Sequence, residues 1–215
     1  MQRLKPCKQS LDILLRRHGI ELKSKTLDKL WIFHRLLREN NKDQDLTRLN
    51  AFETMVERHY ADCIIINSFV KKWPDKMLDI GSGAGFPGIP LKLVNQNINL
   101  VLCEPRSNRI NFLEMAIKTL DLQGIRVFGH RVTSSSMTES VDGAICRAFG
   151  SIEETLPRLS NCLKKGGSAY FMKGPAVNEE LNNWKSKDYK VAKTHFYTIP
   201  NSSQRRALII LERLL

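Results

Sequence analysis

The stretch Leu78–Leu91, LDIGSGAGFPGIPL, contains residues whose types and spacing could bind a cofactor. Glycines in such a run let backbone N–H groups approach a ligand at a turn between a strand and a helix. Two fingerprints overlap within it. From Gly83 it reads G-A-G-F-P-G, the G-x-G-x-x-G of a dinucleotide-binding loop. From Asp79 it reads D-I-G-S-G-A-G, an acid placed before a G-x-G-x-G turn.

The residues on either side of the glycines decide between these interpretations. Asp79 lies two residues before Gly81, where a negative charge would repel a pyrophosphate but suits a cationic ligand. S-adenosylmethionine carries both an ammonium and a sulfonium. Pro87 falls where a phosphate-facing helix would begin, and proline offers no N–H to a phosphate. We therefore predict S-adenosylmethionine as the cofactor and rank an NAD-dependent dehydrogenase well behind.

A second acidic residue, Glu104, ends the next apolar run, NLVLCE. An acid at the end of the second strand can accept hydrogen bonds from both ribose hydroxyls of an adenosine. Glu104 therefore indicates an adenosine-containing ligand, and it does so equally for S-adenosylmethionine and for NAD.

From Pro74 onwards, apolar runs alternate with helical stretches, which predicts βαβ units and a mainly parallel sheet. The strand-like runs are MLDI, INLVLCE, IRVFGH, DGAICRA and SAYFMK, and the helical stretches are 89–94, 108–120, 152–163 and 177–185. In the tail, YKVAKTHFYTI and RRALIILERL are joined by PNSSQ, which is too short for a helix. These two runs predict an antiparallel hairpin that completes a seven-stranded sheet, an arrangement typical of class I methyltransferases.

The first part of the chain is predicted to be a helical extension, with residues 1–72 packed on a core of residues 73–215 as one compact unit. One helix is indicated by apolar residues at helical spacing with Thr26 as a possible N-cap, and a second by a similar series: Leu27, Leu30, Trp31, His34 and Leu37, then Phe52, Met55, Val56, His59 and Cys63. Between them, ENNKDQDLTRLN is expected to be a loop.

Composition narrows the class of protein. The formal net charge of +12 suggests an anionic partner such as nucleic acid. The beginning of the chain has no uninterrupted apolar segment, and the longest apolar runs are too short to cross a bilayer. Five scattered cysteines without a C-x-x-C pair, and five unpaired histidines, favour reduced thiols and no metal site. We expect a soluble, cytoplasmic protein without a metal or a membrane partner, and a monomer.

Further motifs make the sequence similar to the bacterial ribosomal RNA small-subunit methyltransferase G family. The loop DIGSGAGFPGIPL resembles its cofactor signature, and SNRINFL, DGAICRAFGSIEE and YFMKGP follow in the family's order. DLTRL and ERHYADC resemble its N-L-T and R-H-x-x-D-S motifs. The resemblance implies a Rossmann-like class I fold and methyl transfer from S-adenosylmethionine to guanine N7 in 16S ribosomal RNA. Neutral guanine has a free lone pair on N7, so positioning can replace a dedicated base.

The resemblance also implies roles for individual residues. On the cofactor side it implies contributions from Asp79, Gly81, Gly83, Gly85, Phe86, Glu104, Val132, Thr133 and Arg147. On the substrate side the candidates are His59, Asp62, Arg131, Lys173 and Arg205. Three positions depart from the family pattern: Thr133 where Glu is common, Asp45 where Asn is usual and Cys63 where Ser is usual. Thr133 and Asp45 leave one alternative open, an RNA-binding or ribosome-assembly protein with a vestigial cofactor fold.

Overall fold

A seven-stranded sheet forms the centre of the molecule in the computed structural model, which describes residues 4–137, 139–199 and 205–215. The strands are β1 (Lys76–Ile80), β2 (Asn99–Cys103), β3 (Ile125–Phe128), β4 (Val141–Arg147), β5 (Leu163–Lys173), β6 (Tyr189–Thr198) and β7 (Arg205–Arg213). Their order is β3-β2-β1-β4-β5-β7-β6. Strands β1 to β5 pair in parallel, and β7 is antiparallel to β5 and β6. The predicted sheet and its terminal antiparallel pair are confirmed, while the linker PNSSQ lies outside the described residues.

The helices cover both faces of this sheet. They are α1 (Lys8–Arg17), α2 (Ser24–Gln44), α3 (Phe52–Met55), α4 (Asp62–Ile65), α5 (Gly88–Val94), α6 (Ser107–Thr119), α7 (Ile152–Thr155) and α8 (Val177–Asn183). A π-helical turn, Val56–Ala61, joins α3 to α4, and 3-10 turns follow α4 and α7 at Ile66–Ser68 and Leu156–Leu159. Within the described ranges, no helix is both long and apolar enough to cross a membrane.

Each face of the sheet has its own apolar core. On one face, α5 and α6 pack together with the N-terminal helices around Phe33, Tyr60 and Phe112. The other face, covered by α7 and α8, buries Phe171 and Ile209. The side chains of a strand alternate between these cores, because successive residues of a strand point to opposite faces. The N-terminal helices are thereby packed against the same face as the helix that follows the glycine loop.

The N-terminal helices differ from those predicted from the sequence. Helix α1 was not foreseen, and α2 begins after Lys23, so Thr26 lies inside the helix and is not its N-cap. Helix α2 also runs to Gln44, through half of the segment that was expected to be a loop. Its last turns are polar because they face solvent, and solvent exposure does not prevent a helix from continuing. Asp45, in the left-handed conformation at φ +46°, ends it.

A second correction concerns the predicted helix at 152–163. Helix α7 and its 3-10 turn end at Leu159, and Leu163 begins β5. Leu163 is fully buried and pairs with Val141 of β4, so its apolar character belongs to the sheet rather than to a helix. Chain order and strand assignment are unaffected by this shift.

Candidate functional site

The candidate site lies where the parallel strands end. Strands β1 and β4 are parallel neighbours, and the chain continues from β1 to β2 on one side of the pair and from β4 to β5 on the other. Open α/β sheets bind ligands at such a switch point. A cavity of about 390 Å³, here called the first cavity, opens there and includes Gly81, Glu104, Arg131, Val132 and Phe149 in its lining. Most of these residues follow directly on β1, β2 or β4, or on the loop after β3, so the topology brings them together.

Two smaller cavities adjoin the first. The second cavity, of about 160 Å³, lies beside the glycine loop and is lined by Thr47, His59, Phe86 and Arg147 among others. The third cavity, of about 130 Å³, is lined by Arg147, Lys173 and Arg206 among others. Ala148 borders all three cavities with φ +54°, a conformation that is costly for a residue with a Cβ. Cofactor-side and substrate-side residues are therefore within one connected cleft.

The glycine loop borders the cleft through Gly81, which lines the first and second cavities, and Gly83, which lines the second, while Gly85 lines none of the three. Gly81, Gly83 and Gly85 have φ values of +72°, +58° and +92°, which L side chains rarely adopt. A Cβ on Gly81 would lie 2.3 Å from the Phe149 ring. The Phe149 ring therefore packs directly on Gly81, in the space that any side chain at this position would need.

Glu104 is held in the first cavity by backbone hydrogen bonds. One carboxylate oxygen accepts from the N–H of Gly83 at 3.0 Å, and the other accepts from the N–H of Arg106 at 3.0 Å. The Arg109 guanidinium lies 3.7 Å from the same carboxylate. Because its acceptor oxygens border the cavity next to the glycine loop, Glu104 fits the predicted contact with a ribose.

Asp79 does not face the cofactor cavity, although the sequence suggested that it would lie beside a cationic ligand. Its side chain is fully buried on the α5 side of β1, and one carboxylate oxygen accepts from the N–H of Gly88 at 2.9 Å. Asp79 borders none of the three cavities. It fixes the loop from behind, and it also occupies the N–H of the last glycine in the G-x-G-x-x-G pattern. That use of Gly88 argues against a pyrophosphate-binding loop.

The buried Asp79 carboxyl makes stability depend on pH. Burial raises its pKa to about 7, although the hydrogen bonds from Gly88 and Ser82 act in the opposite direction. Since the pKa is higher in the folded protein than in the unfolded chain, the folded state binds the extra proton between about pH 4 and pH 7. The contribution of Asp79 is therefore complete at low pH and is lost as pH rises to 7.

Replacing Asp79 by Asn should remove this dependence, since Asn stays neutral and its carbonyl can still accept from Gly88. We expect the free energy of unfolding of the Asp79→Asn variant, relative to wild type, to rise by roughly 1.4 kcal/mol per pH unit between pH 4 and 7 and to level off above. Urea unfolding at several pH values measures this difference. A difference that is constant across the range would contradict the burial of an ionisable Asp79.

Val132 and Thr133, which follow β3, lie in different environments. Val132 is buried and lines the first cavity, next to the exposed Arg131. Thr133 does not line the cavity: its Oγ1 accepts from the N–H of Ser136 at 3.1 Å, and its own N–H donates to the Ser136 hydroxyl. Thr133 thus caps a turn, which explains how a short hydroxyl side chain is accommodated at this position. Asp45 is similarly explained, since Asp and Asn both adopt the left-handed conformation.

Arg147 connects the glycine loop to the N-terminal helices. Its guanidinium carbon lies 5.2 Å from the centre of the Phe86 ring, and Nη1 donates to the carbonyl of Arg58 at 2.9 Å. Nη2 lies 3.2 Å from Nδ1 of His59, whose ring is stacked on Phe86 at 4.4 Å. His59, predicted on the substrate side, is thereby brought together around the second cavity with Phe86 and Arg147, which were predicted on the cofactor side.

Asp62 is at the centre of a buried charge cluster rather than in a cavity lining. Its Oδ1 accepts from the Tyr197 hydroxyl at 2.9 Å, and its Oδ2 lies 3.5 Å from Nη1 of Arg147 and 3.7 Å from Nη1 of Arg206. Burial, followed by the neighbouring Asp62 carboxylate, raises the pKa of Tyr197. One carboxylate is therefore shared by two guanidinium groups, and it ties α4 to the ends of β4 and β7.

Of the two remaining substrate-side candidates, Lys173 lies in the cleft, whereas Arg205 lines none of the three cavities. Lys173 lines the third cavity, and its Nζ donates to the carbonyl of Gly150 and to Glu180 of α8, both at 2.9 Å. Arg205 is exposed, and its guanidinium carbon lies 4.2 Å from the centre of the Phe196 ring. Lys173 thus has an anchoring contact, while Arg205 is presented to solvent on an aromatic support.

Sequence reasoning missed two residues of the site. Arg206 was passed over in favour of its neighbour Arg205, although the alternation along β7 turns Arg206 inward, opposite Tyr197. Phe149, in the segment DGAICRAFGSIEE, covers Gly81 and borders both the first and the third cavity. Its position directly after β4 was the available signal. Across the residues that the structure describes, no group of three or more His, Cys, Asp or Glu side chains is arranged to hold a metal ion.

Comparison with known proteins identifies the class and then the family. A SAM dependent methyltransferase from Aquifex aeolicus superposes with a TM-score of 0.56 at 15% identity, covering 74% of this chain and 93% of that one. The fold, with its crevice at the β1–β4 switch point, is that of the class I S-adenosylmethionine-dependent methyltransferases. The family GidB, described as rRNA small subunit methyltransferase G, matches residues 26–209. The chain belongs to this family.

Individual relatives agree with that assignment. Ribosomal RNA small subunit methyltransferase G 2 of Syntrophobacter fumaroxidans is 37% identical over 212 residues, which is 97% of this chain and 42% of that protein. A protein of the same name from Bdellovibrio bacteriovorus is 34% identical over 207 residues, 94% of this chain and 80% of that protein. The chain therefore spans less than half the length of the first relative and most of the second.

Proposed function

We propose that the protein transfers a methyl group from S-adenosylmethionine to N7 of a guanine in 16S ribosomal RNA of the small ribosomal subunit. The observation that carries this proposal is the family match across residues 26–209 together with a first cavity built from Gly81 and Glu104 at the switch point. The backbone of Gly81 would border the cofactor, and Glu104 would accept hydrogen bonds from its ribose. When bound, S-adenosylmethionine supplies an electrophilic methyl group on sulfur.

The charge state of the site suits a nucleophile that needs no deprotonation. Burial, and then the neighbouring Arg147, lower the pKa of His59 to about 3, so its imidazole is neutral at physiological pH. Both ring nitrogens of His59 already have partners, Thr47 and Arg147. A neutral, engaged imidazole positions groups rather than removing protons, which is sufficient for attack by the N7 lone pair.

The surface supports an RNA partner. The chain has a net charge of +12, and Arg106, Arg109, Arg131 and Arg158 all line the first cavity. Arginines at the mouth of a cleft can bind phosphates while the target base enters. We propose that the protein acts as a monomer in the cytoplasm, with residues 1–72 as an extension that forms one wall of the base-binding side.

The proposed function is tested by incubating the purified protein with methyl-labelled S-adenosylmethionine and small subunits from a strain that lacks this gene. We expect label to enter 16S ribosomal RNA as N7-methylguanine. Binding without any transfer would support the vestigial-fold alternative instead. Binding to subunits should also weaken steeply as salt rises, because phosphate contacts release counterions.

A further inference from the structure

Thr47 is fixed at the border of the second cavity. It lies between α2 and α3, and its backbone N–H donates to the side-chain carbonyl of Asn41 at 2.7 Å. The Asn41 side-chain amide in turn donates to the carbonyl of Thr47 at 2.9 Å. Two hydrogen bonds with one side chain of α2 therefore hold the Thr47 backbone in place, at a cavity that Gly81 and Gly83 also line.

The direction of the hydrogen bonds that reach Thr47 is determined by Arg147. A guanidinium has donors and no acceptor, so the contact of 3.2 Å between Arg147 Nη2 and His59 Nδ1 makes Nδ1 an acceptor. A neutral imidazole then carries its proton on Nε2. The His59 Nε2–H consequently donates to Thr47 Oγ1, at 2.8 Å.

Thr47 Oγ1 accepts a second hydrogen bond, from the N–H of Leu49 at 3.1 Å. A hydroxyl has two acceptor lone pairs and one donor hydrogen, so both acceptor positions are filled. In the described part of the chain, the Thr47 hydroxyl has no further partner to which it could donate. Its hydrogen remains for a ligand in the second cavity.

We propose that Thr47 is a specificity-determining residue, whose hydroxyl donates a hydrogen bond to the carbonyl O6 of the target guanine. The inference rests on the proposed function and adds a residue that recognises the base. Guanine presents the acceptor O6 beside N7, whereas adenine presents an amino donor at that position. Because His59 and Arg147 fix the Thr47 hydroxyl as a donor, it can form a hydrogen bond with O6 of guanine. The amino group of adenine at the same position is itself a donor, so adenine would bind less well. Because the hydroxyl is neutral, it distinguishes the two bases without adding charge beside a product that becomes cationic.

The test compares Thr47→Val, which removes the donor at nearly constant shape, with Thr47→Ser, which keeps it. Thr26→Val in helix α2 is the matched control, since Thr26 is a buried threonine that borders neither of these cavities. Rates are measured on unmodified small subunits, cofactor dissociation constants by calorimetry and folding by thermal melting. We expect Thr47→Val to lower kcat/KM for subunits about tenfold, with the cofactor dissociation constant within twofold of wild type. Thr47→Ser and Thr26→Val should remain near wild type.

Two results would overturn the inference. One is an unchanged kcat/KM in a folded Thr47→Val protein, and the other is an equal loss of cofactor affinity, which would place the acceptor on the cofactor instead. If Thr47→Val does not fold, Thr47→Cys takes its place, because a thiol is only a weak donor, and about a threefold loss of kcat/KM is expected. Inactivity of the wild-type protein would refute the proposed function itself. The wild-type rate, measured alongside the variants, distinguishes that outcome from a failure of the inference about Thr47.

Discussion

Gly81→Ala is expected to weaken S-adenosylmethionine binding by roughly 100-fold, the largest effect that the structure predicts for the cofactor site. The backbone at φ +72° costs a residue with a Cβ about 1–3 kcal/mol, and the new methyl would lie 2.3 Å from Phe149. Phe149 would have to move, and it lines the first cavity itself. Strain at φ +72° lowers stability, whereas the displacement of Phe149 and of the loop from the cofactor cavity lowers affinity; since each 1.4 kcal/mol is a factor of ten, a displacement that costs about 2.8 kcal/mol gives this loss. Isothermal titration calorimetry measures it.

A matched control separates backbone strain from the cofactor contact. Gly166 has φ +75°, nearly the value of Gly81, but a Cβ there meets nothing within 4 Å. Gly166 lies within β5, near the beginning of that strand, and borders none of the three cavities. Gly166→Ala should therefore lose stability through the same strain and keep its cofactor affinity. Equal affinity losses in the two variants would contradict a specific role for the packing of Phe149 on Gly81.

Asp62→Asn is expected to destabilise the fold by about 3–5 kcal/mol, the largest effect on stability. The substitution leaves Arg147 and Arg206 near each other with no buried carboxylate between them. Removing one member of a buried ion cluster leaves uncompensated charge in a poorly hydrated environment. Arg147 should also shift relative to Phe86, so the variant is expected to bind the cofactor more weakly even below its melting temperature. Chemical denaturation measures the first effect.

Asp142→Asn provides the comparison for Asp62→Asn. Asp142 pairs with Lys164 in an ion pair near the start of β4, where both side chains are substantially exposed. Exposed pairs contribute about 0–1 kcal/mol, so this variant should unfold close to wild type. A small effect of Asp62→Asn, similar to that of Asp142→Asn, would show that the buried cluster does not hold the N-terminal helices on the sheet.

The fold could be predicted from the sequence because its signals are local. Alternation of apolar runs with helical stretches gave the parallel strands, and the short PNSSQ segment gave the antiparallel pair, which the sheet order confirms. The glycine loop and Glu104 were identified for the same reason, since each is marked by its position at the end of a strand. The N-terminal helices were less predictable, because polar surface turns such as the end of α2 resemble loops in sequence.

The partners of the site residues could not be predicted in this way. Asp62 meets Arg147 and Tyr197, which are 85 and 135 positions further along the chain, and no local pattern reports such contacts. Asp79 shows a signal that was available but unused: it alternates with Leu78 and Ile80 along β1, so it faces α5 rather than the cofactor cavity. Strand alternation, applied to Asp79 and to the Arg205–Arg206 pair, would have given both orientations.

The most direct test of the central claim is the modification pattern of 16S ribosomal RNA in a strain from which this gene has been deleted. Mass spectrometry of nucleosides and fragments should show that one N7-methylguanine is absent and is restored by the wild-type gene. The Gly81→Ala gene should fail to restore it, whereas the Gly166→Ala gene should succeed. A complete set of N7-methylguanines in the deletion strain would contradict the assignment of this protein as a 16S ribosomal RNA guanine-N7 methyltransferase.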